Sequence, residues 1–365
     1  MAHPLLSKKA GETHLLLGNE AIVRGALEAG VEFVSCYPGT PSSEIPDTFF
    51  RLSQEGNFYF EFSVNEKVAL EVGGGAALAG ARTFVTMKHV GVNVAADPLM
   101  TLAYIGTPGG LVLLSADDPG CHSSQNEQDN RYYARLAGLP CFEPATAQEA
   151  KDMARDASAL SRQYEQPVLL RTTTRVAHLR GPVTFGPLPK AQKTSGFEKN
   201  PRRFVPVPVV ARVRHTALLE NLEKLKQVAE SSPWNKVRGK GKTGLIASGM
   251  SRVYVADVIQ EKAFKGAFKV LDLGMTYPLP EKKILRFLRG LDKVVIIEEL
   301  EPIVETEVRA LAQQKGLTLK ITGKGKELPQ NGEFDTAIVR RALYKALGKR
   351  PPKDKFCAPE AALPL

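Results

Sequence analysis

Cysteine is scarce in this chain. Four occur in 365 residues, Cys36, Cys121, Cys141 and Cys357, and they lie far apart. No C-x-x-C is present, which excludes a zinc ribbon or a cysteine run for an iron–sulfur cluster on these residues. A set this sparse also excludes a disulfide scaffold at this length. Any cluster the protein uses must then sit on another chain. Long apolar runs are missing too, and none reaches the ~18–20 residues of a membrane-spanning helix. The opening MAHPLLSKKAGETHLLLGNE lacks the basic-then-apolar order of a secretory leader, because Lys8 and Lys9 interrupt its apolar residues. These absences predict a cytoplasmic protein. Internal repeats, RNP patterns and zinc fingers are absent as well, so no nucleic-acid signature accompanies the charge.

The remainder is ordinary for a globular protein: 43% apolar and 24% charged residues. The length suits two or three domains. The net charge of +10 is uneven. Residues 1–180 carry 15 Lys+Arg against 20 Asp+Glu, or −5, and residues 181–365 carry 34 against 19, or +15. A basic half faces an acidic partner or a phosphate, or is simply a solvated lysine surface.

Short β-rich runs alternate with helical patterns through the first half. Candidate strands are Val31–Tyr37, Phe58–Val64, Arg82–Lys88, Gly110–Ser115, Leu139–Glu143 and Pro167–Thr173. Several are continuously apolar, as strands buried on both faces must be. Asn19 and Asn65 are placed to cap helices between them, and a third helix fits Glu149–Arg162. This alternation predicts an α/β fold with a parallel sheet in residues 1–185. Prolines and basic residues then dominate a connecting segment, 186–242, with one helix expected over Thr216–Glu230. Strand–helix alternation resumes in a smaller α/β unit over 243–348, with an extended tail over 349–365.

Four polar stretches follow strands of the first unit and should converge on one crevice at their carboxyl ends. Cys36-Tyr-Pro-Gly39-Thr40-Pro-Ser-Ser-Glu44 combines a close-approach glycine with hydroxyls, or is a tight turn capped by Ser42. Glu66 opens a helix, where a carboxylate ordinarily serves the macrodipole. Lys88 and His89 bring an amine and an imidazole to the next loop. His122 lies in Ala116–Asn130, a run polar enough to be a solvated loop.

GNEAIVRGALEAGVEFVSCYPGTPSSEI, SVNEKVALEVGGGAALAGARTFVTMKHVGVNVAADPLM and DDPGCHSSQNEQDNRYYARLAGLPCFEPAT closely resemble the α subunit of indolepyruvate:ferredoxin oxidoreductases. These belong to the thiamine-diphosphate-dependent 2-oxoacid:ferredoxin oxidoreductases. The likeness continues through GLIASGMS and DLGMTYPLPEKKI to VVIIEELEP, spanning roughly residues 12–348. It implies a thiamine-diphosphate pyrimidine-binding domain followed by a transketolase C-terminal-like domain. Glu66 matches the carboxylate that hydrogen-bonds the aminopyrimidine nitrogen and promotes loss of the thiazolium C2 proton. Thr40 and Gly39 match a turn near cofactor and substrate. By the same resemblance the enzyme decarboxylates an aryl 2-oxoacid such as indolepyruvate to its acyl-CoA. Electrons pass to ferredoxin through [4Fe-4S] clusters on partner chains, and a gamma-type subunit completes the complex.

Two departures accompany the likeness. The family's Gly-Asp-Gly motif, followed by Asn about 25–30 residues on, is absent. The Mg²⁺–diphosphate half of the cofactor is therefore expected on a partner subunit that also bears the clusters. Pyruvate-type relatives carry a substrate-binding arginine where this chain has Asp117 and Asp118. Lys88, His89 and His122 are then the candidates to meet a substrate carboxylate, and His89 and His122 join Glu66 as candidate catalytic residues. Phenylglyoxylate, a branched-chain 2-oxoacid or pyruvate as substrate, or a non-catalytic assembly subunit, stay open as alternatives.

Overall fold

A computed structural model describes residues 3–190 and 194–351. Its strands in chain order are β1 (Thr13–Leu17), β2 (Phe33–Cys36), β3 (Tyr59–Phe62), β4 (Thr83–Lys88), β5 (Leu111–Asp117), β6 (Cys141–Phe142) and β7 (Val168–Thr173). They continue with β8 (Arg180–Thr184), β9 (Asn235–Gly239), β10 (Thr243–Ser248), β11 (Phe268–Leu273), β12 (Met275–Tyr277), β13 (Lys293–Ile297) and β14 (Lys320–Thr322).

The larger sheet runs β12-β6-β7-β5-β4-β2-β3, and every pairing from β6 to β3 is parallel. Side chains along β5 are buried on both faces. Val112 and Leu114 enter a core with the helices Gly18–Glu28 and Ala147–Tyr164, while Leu111 and Leu113 enter one with Glu66–Leu78 and Ala96–Ile105. Each such side chain contributes about 1.5–3 kcal/mol by leaving water. The smaller sheet runs β14-β13-β10-β11-β9 and is likewise covered on both faces. The expected α/β architecture, a parallel sheet followed by a smaller α/β unit, is thus present, each sheet with one antiparallel edge strand. No helix among the described residues is long and apolar enough to cross a membrane.

The division at residue 243 is not clean. β12 lies inside the second unit's sequence, yet it pairs antiparallel with β6 at the edge of the first unit's sheet. β9 lies in the connecting segment, yet it pairs antiparallel with β11 in the second sheet. The second unit's sequence therefore lends a strand to the first sheet, and the connecting segment lends one to the second. The expected helix over Thr216–Glu230 starts earlier, at Pro208, whose fixed φ suits the first turn. Asn19 is not a cap. It sits inside Gly18–Glu28 and donates to the Pro41 carbonyl and the Glu44 carboxylate, bracing the turn after β2. Asn65 does cap its helix, accepting from the Val68 N–H. Most of the tail, from residue 352, lies outside the described residues.

Candidate active site

The four polar stretches meet beyond the carboxyl ends of β2, β3, β4 and β5, because these strands are parallel neighbours. Gly39 in the turn after β2 lies against Lys88 at the end of β4: a methyl group on Gly39 would stand 2.9 Å from the Lys88 Cβ. The adjoining Thr40–Pro41 bond is cis, and Thr40 is exposed. Ser42 donates back to the Gly39 carbonyl and is not the helix cap.

Glu66 stands in the first turn of its helix, half-buried, next to the short helix His89–Val94. A Cβ on Gly91 would lie 2.5 Å from the Glu66 Cγ and 2.6 Å from its Oε1. Only glycine at position 91 leaves that carboxylate where it is. Among the described residues Glu66 makes no side-chain hydrogen bond or ion pair, whereas the neighbouring Lys67 pairs with Asp97 at 3.0 Å. A carboxylate held in place by packing and left without a partner is equipped to accept from, or share a proton with, a bound group.

The other candidates divide. Lys88 donates to the Ser123 carbonyl at 2.6 Å, which ties the end of β4 to the loop after β5. His89 is fully buried, with Nδ1 3.3 Å from the Ala116 carbonyl and Nε2 3.0 Å from the Asn126 amide oxygen. Both ring nitrogens are occupied within the chain, so His89 shapes the loop and does not present a free nitrogen to the crevice. His122 is half-exposed, and its Nε2 lies 3.6 Å from Glu333 of the second unit.

Asp117 and Asp118 fix the same loop. Asp117 pairs with Arg171 at 2.7 Å and accepts from the Asn130 N–H. Against the cost of burial, the Ser124 and Thr174 hydroxyls and the Ser123 N–H hold the Asp118 carboxyl below the usual range. Beneath the loop lies a buried charge network that composition and spacing did not flag. Arg131 donates to Asp129 and Glu298, each at 2.6 Å, and to the carbonyls of Glu299 and Glu301. Burial opposes ionisation of Asp129, yet Arg131 and Arg171 hold it well below the usual carboxylate range. Burial pushes Glu299 upward, and its carboxylate accepts from the Phe334 N–H. A run of acidic and basic residues from Asp129 to Arg135 could have signalled this, had a partner 167 residues away been foreseeable.

Beside Glu66 the sheet ends at β3. Phe62 is 45% exposed, Phe50 53% and Val64 80%. Phe50, Phe60 and Phe62 form an aromatic cluster with centroids 4.9–6.1 Å apart.

A parallel sheet with its crevice at the carboxyl edge, followed by a second α/β unit, is the architecture of thiamine-diphosphate 2-oxoacid oxidoreductases and transketolases. The solved 2-oxoglutarate:ferredoxin oxidoreductase from Magnetococcus marinus matches 92% of this chain and 66% of its own, with a TM-score of 0.75 at 15% identity. An inactive split-gene transketolase tetramer matches at 0.61 and 16% identity, over 92% of this chain and 99% of its own. These likenesses carry the fold. Residues 24–218 match the model of the pyruvate flavodoxin/ferredoxin oxidoreductase thiamine-diphosphate-binding domain, and the chain belongs to that family. It is 47% identical over 361 residues to the indolepyruvate oxidoreductase subunit IorA of Methanothermobacter marburgensis, covering 98% of this chain and 58% of that protein. The subunit from Pyrococcus abyssi is 45% identical over 95% of this chain and 54% of its own length. The chain thus spans little more than half the length of these relatives.

Proposed function

We propose that this chain supplies the pyrimidine-binding half of a thiamine-diphosphate site in an enzyme that oxidatively decarboxylates a 2-oxoacid of the indolepyruvate type to its acyl-CoA. Electrons pass to ferredoxin through iron–sulfur clusters held outside these 365 residues. The observation that carries this reading is the Glu66 carboxylate, without a side-chain partner among the described residues and seated against Gly91 at the carboxyl edge of the sheet. The residues present fit the pyrimidine ring: Glu66 is placed to share a proton with a ring nitrogen, and the missing side chain at Gly91 keeps the carboxylate free. When bound, the cofactor supplies the carbanion-stabilising chemistry. The protein's share is to orient it and manage that proton.

The absent Gly-Asp-Gly pattern supports a diphosphate and Mg²⁺ site on polypeptide outside this sequence. The Phe50–Phe60–Phe62 cluster beside Glu66, with Phe50 and Phe62 exposed, supports a site completed by such a partner. Lys88 and His122 are the candidates for a substrate carboxylate, while His89, with both nitrogens engaged, is a positioning residue. The names of the relatives at 44–47% identity favour an aryl substrate over pyruvate.

Glu66→Gln in the complete complex tests the reading. Turnover with indolepyruvate should collapse while the variant folds, assembles and melts as the wild type does. Near-normal turnover would return Glu66 to a helix-start role.

A further inference from the structure

At the edge of the smaller sheet, on the strand farthest from β9, the chain forms a cavity of about 420 Å³. Its floor is the outer part of β13 and β14, one wall is the helix Thr336–Ala346, and the rim is the loop Gly323–Leu328. Six cationic side chains line it against one carboxylate, Glu327. That carboxylate is already taken by Lys345 at 2.6 Å. Arg309 is engaged by Glu305, and Lys324 donates to the Glu298 and Pro329 carbonyls.

Three cations are left over. The side chains of Lys293, Lys320 and Lys326 have no hydrogen bond or ion pair with any described residue. Two of them are set side by side: Lys293 and Lys320 are register partners on the adjacent parallel strands β13 and β14. Strands lie about 4.8 Å apart, and like charges directly opposite one another destabilise a sheet. The one carboxylate of the lining that could relieve this, Glu327, is the one already paired with Lys345. An anion seated between the two ammoniums would turn the repulsion into attraction. Val295, Leu328 and Ala346 give the lining an apolar part. A concave site of this volume with a few convergent charges and an apolar wall takes a small molecule rather than a flat macromolecular surface.

We propose that this cavity binds a small organic phosphate ester, its phosphoryl group held by Lys293, Lys320 and Lys326 and its apolar body against Val295, Leu328 and Ala346. The free guanidinium fork that would favour a planar carboxylate is missing, since Arg309 is committed to Glu305. Ammonium groups act as point charges and suit a phosphoryl group. The site stands apart from the Glu66 crevice and does not depend on how that crevice is read.

Calorimetry on the full chain at physiological salt, with adenosine 5′-monophosphate, inorganic phosphate and pyrophosphate as probes, tests it. The nucleotide should bind at one saturable site, at least tenfold tighter than inorganic phosphate or pyrophosphate. Lys293→Met and Lys320→Met should each weaken it by about tenfold, the loss of one charge-assisted contact. Lys236→Met, on exposed β9 across the sheet, should leave it unchanged. Lys320→Glu gives Lys293 an opposite partner, so it should raise the melting temperature without ligand and abolish the rise that the nucleotide causes. Equal losses at Lys236 and Lys293 would mean diffuse charge and overturn the proposal. So would binding of the inorganic anions as tight as the nucleotide, preferential binding of an acidic peptide, or variants that bind as the wild type does.

Discussion

Arg131, the first residue of the helix Arg131–Ala137, reaches Glu298 just beyond β13 with a 2.6 Å contact, and each side chain is about 1% exposed. The same guanidinium accepts no water-facing role: it also bonds Asp129 and the carbonyls of Glu299 and Glu301. The ends of strands from both sheets are thereby pinned around one cation, directly beneath the loop that carries His122. Removing one partner of a buried pair strands the other's charge in a low-dielectric interior.

Arg131→Met should therefore cost about 3–5 kcal/mol of folding stability, a loss read as a lower urea midpoint. A loss below 1 kcal/mol would show that the network is hydrated and loosely coupled.

Gly91→Ala separates structure from chemistry. The added methyl would meet the end of the Glu66 side chain at 2.5–2.6 Å, and a flexible side chain moves cheaply. Alanine is also the better helix former by about 1 kcal/mol. Stability should hold or rise slightly, while turnover of the complex falls at least tenfold because the carboxylate is displaced. Unchanged turnover would show that the position of Glu66 is not critical.

Lys324 gives a pH signature. Burial pushes its ammonium from 10.5 down to about 8. Between those values the unfolded chain binds the proton and the folded chain does not, so stability should rise as pH increases from about 8 to about 10.5. The cost of burying the charge is felt below pH 8. Comparing denaturation midpoints of the wild type and Lys324→Met across this range isolates the slope, which the variant should lack.

Phe62→Asp alters the aromatic cluster beside Glu66 without touching the crevice residues. Since Phe62 is half-exposed, the isolated chain should melt within about 1 kcal/mol of the wild type. Association with the partner polypeptide should weaken, measured as loss of co-purification and a raised concentration for half-maximal activity. Unaltered assembly would place the partner elsewhere.

Much of this was legible in the sequence. Every strand from β2 to β7 falls within or within two residues of an apolar run read from periodicity, and the crevice follows from their parallel order. Glu66, Gly39, Thr40 and Lys88 do converge, because each sits just beyond a strand end. His89 is less legible: an imidazole beside a lysine in a loop resembles chemistry, and only the fold places the Ala116 carbonyl and the Asn126 side chain against its two nitrogens. β12 was missed for a different reason. Met-Thr-Tyr after Gly274 is a short β-rich run, but local pattern cannot say that its partner is Cys141–Phe142 in the other unit. In the connecting segment, β9 is hidden from local pattern by its basic residues, of which Arg238 is drawn to Asp272 at 2.7 Å.

The loan of β12 to the first sheet bears on how the protein is made. Until residue 277 has been synthesised, β6 has one neighbour and presents an open row of N–H and C=O groups. The sheet of the amino-terminal unit thus gains its last strand only from the far side of the basic connection, well after its own sequence ends near residue 185. A fragment cut at residue 242 would keep that raw edge permanently, and self-association along it is the expected fate of such a fragment. The pieces that look separable in the sequence are obliged to mature as one body.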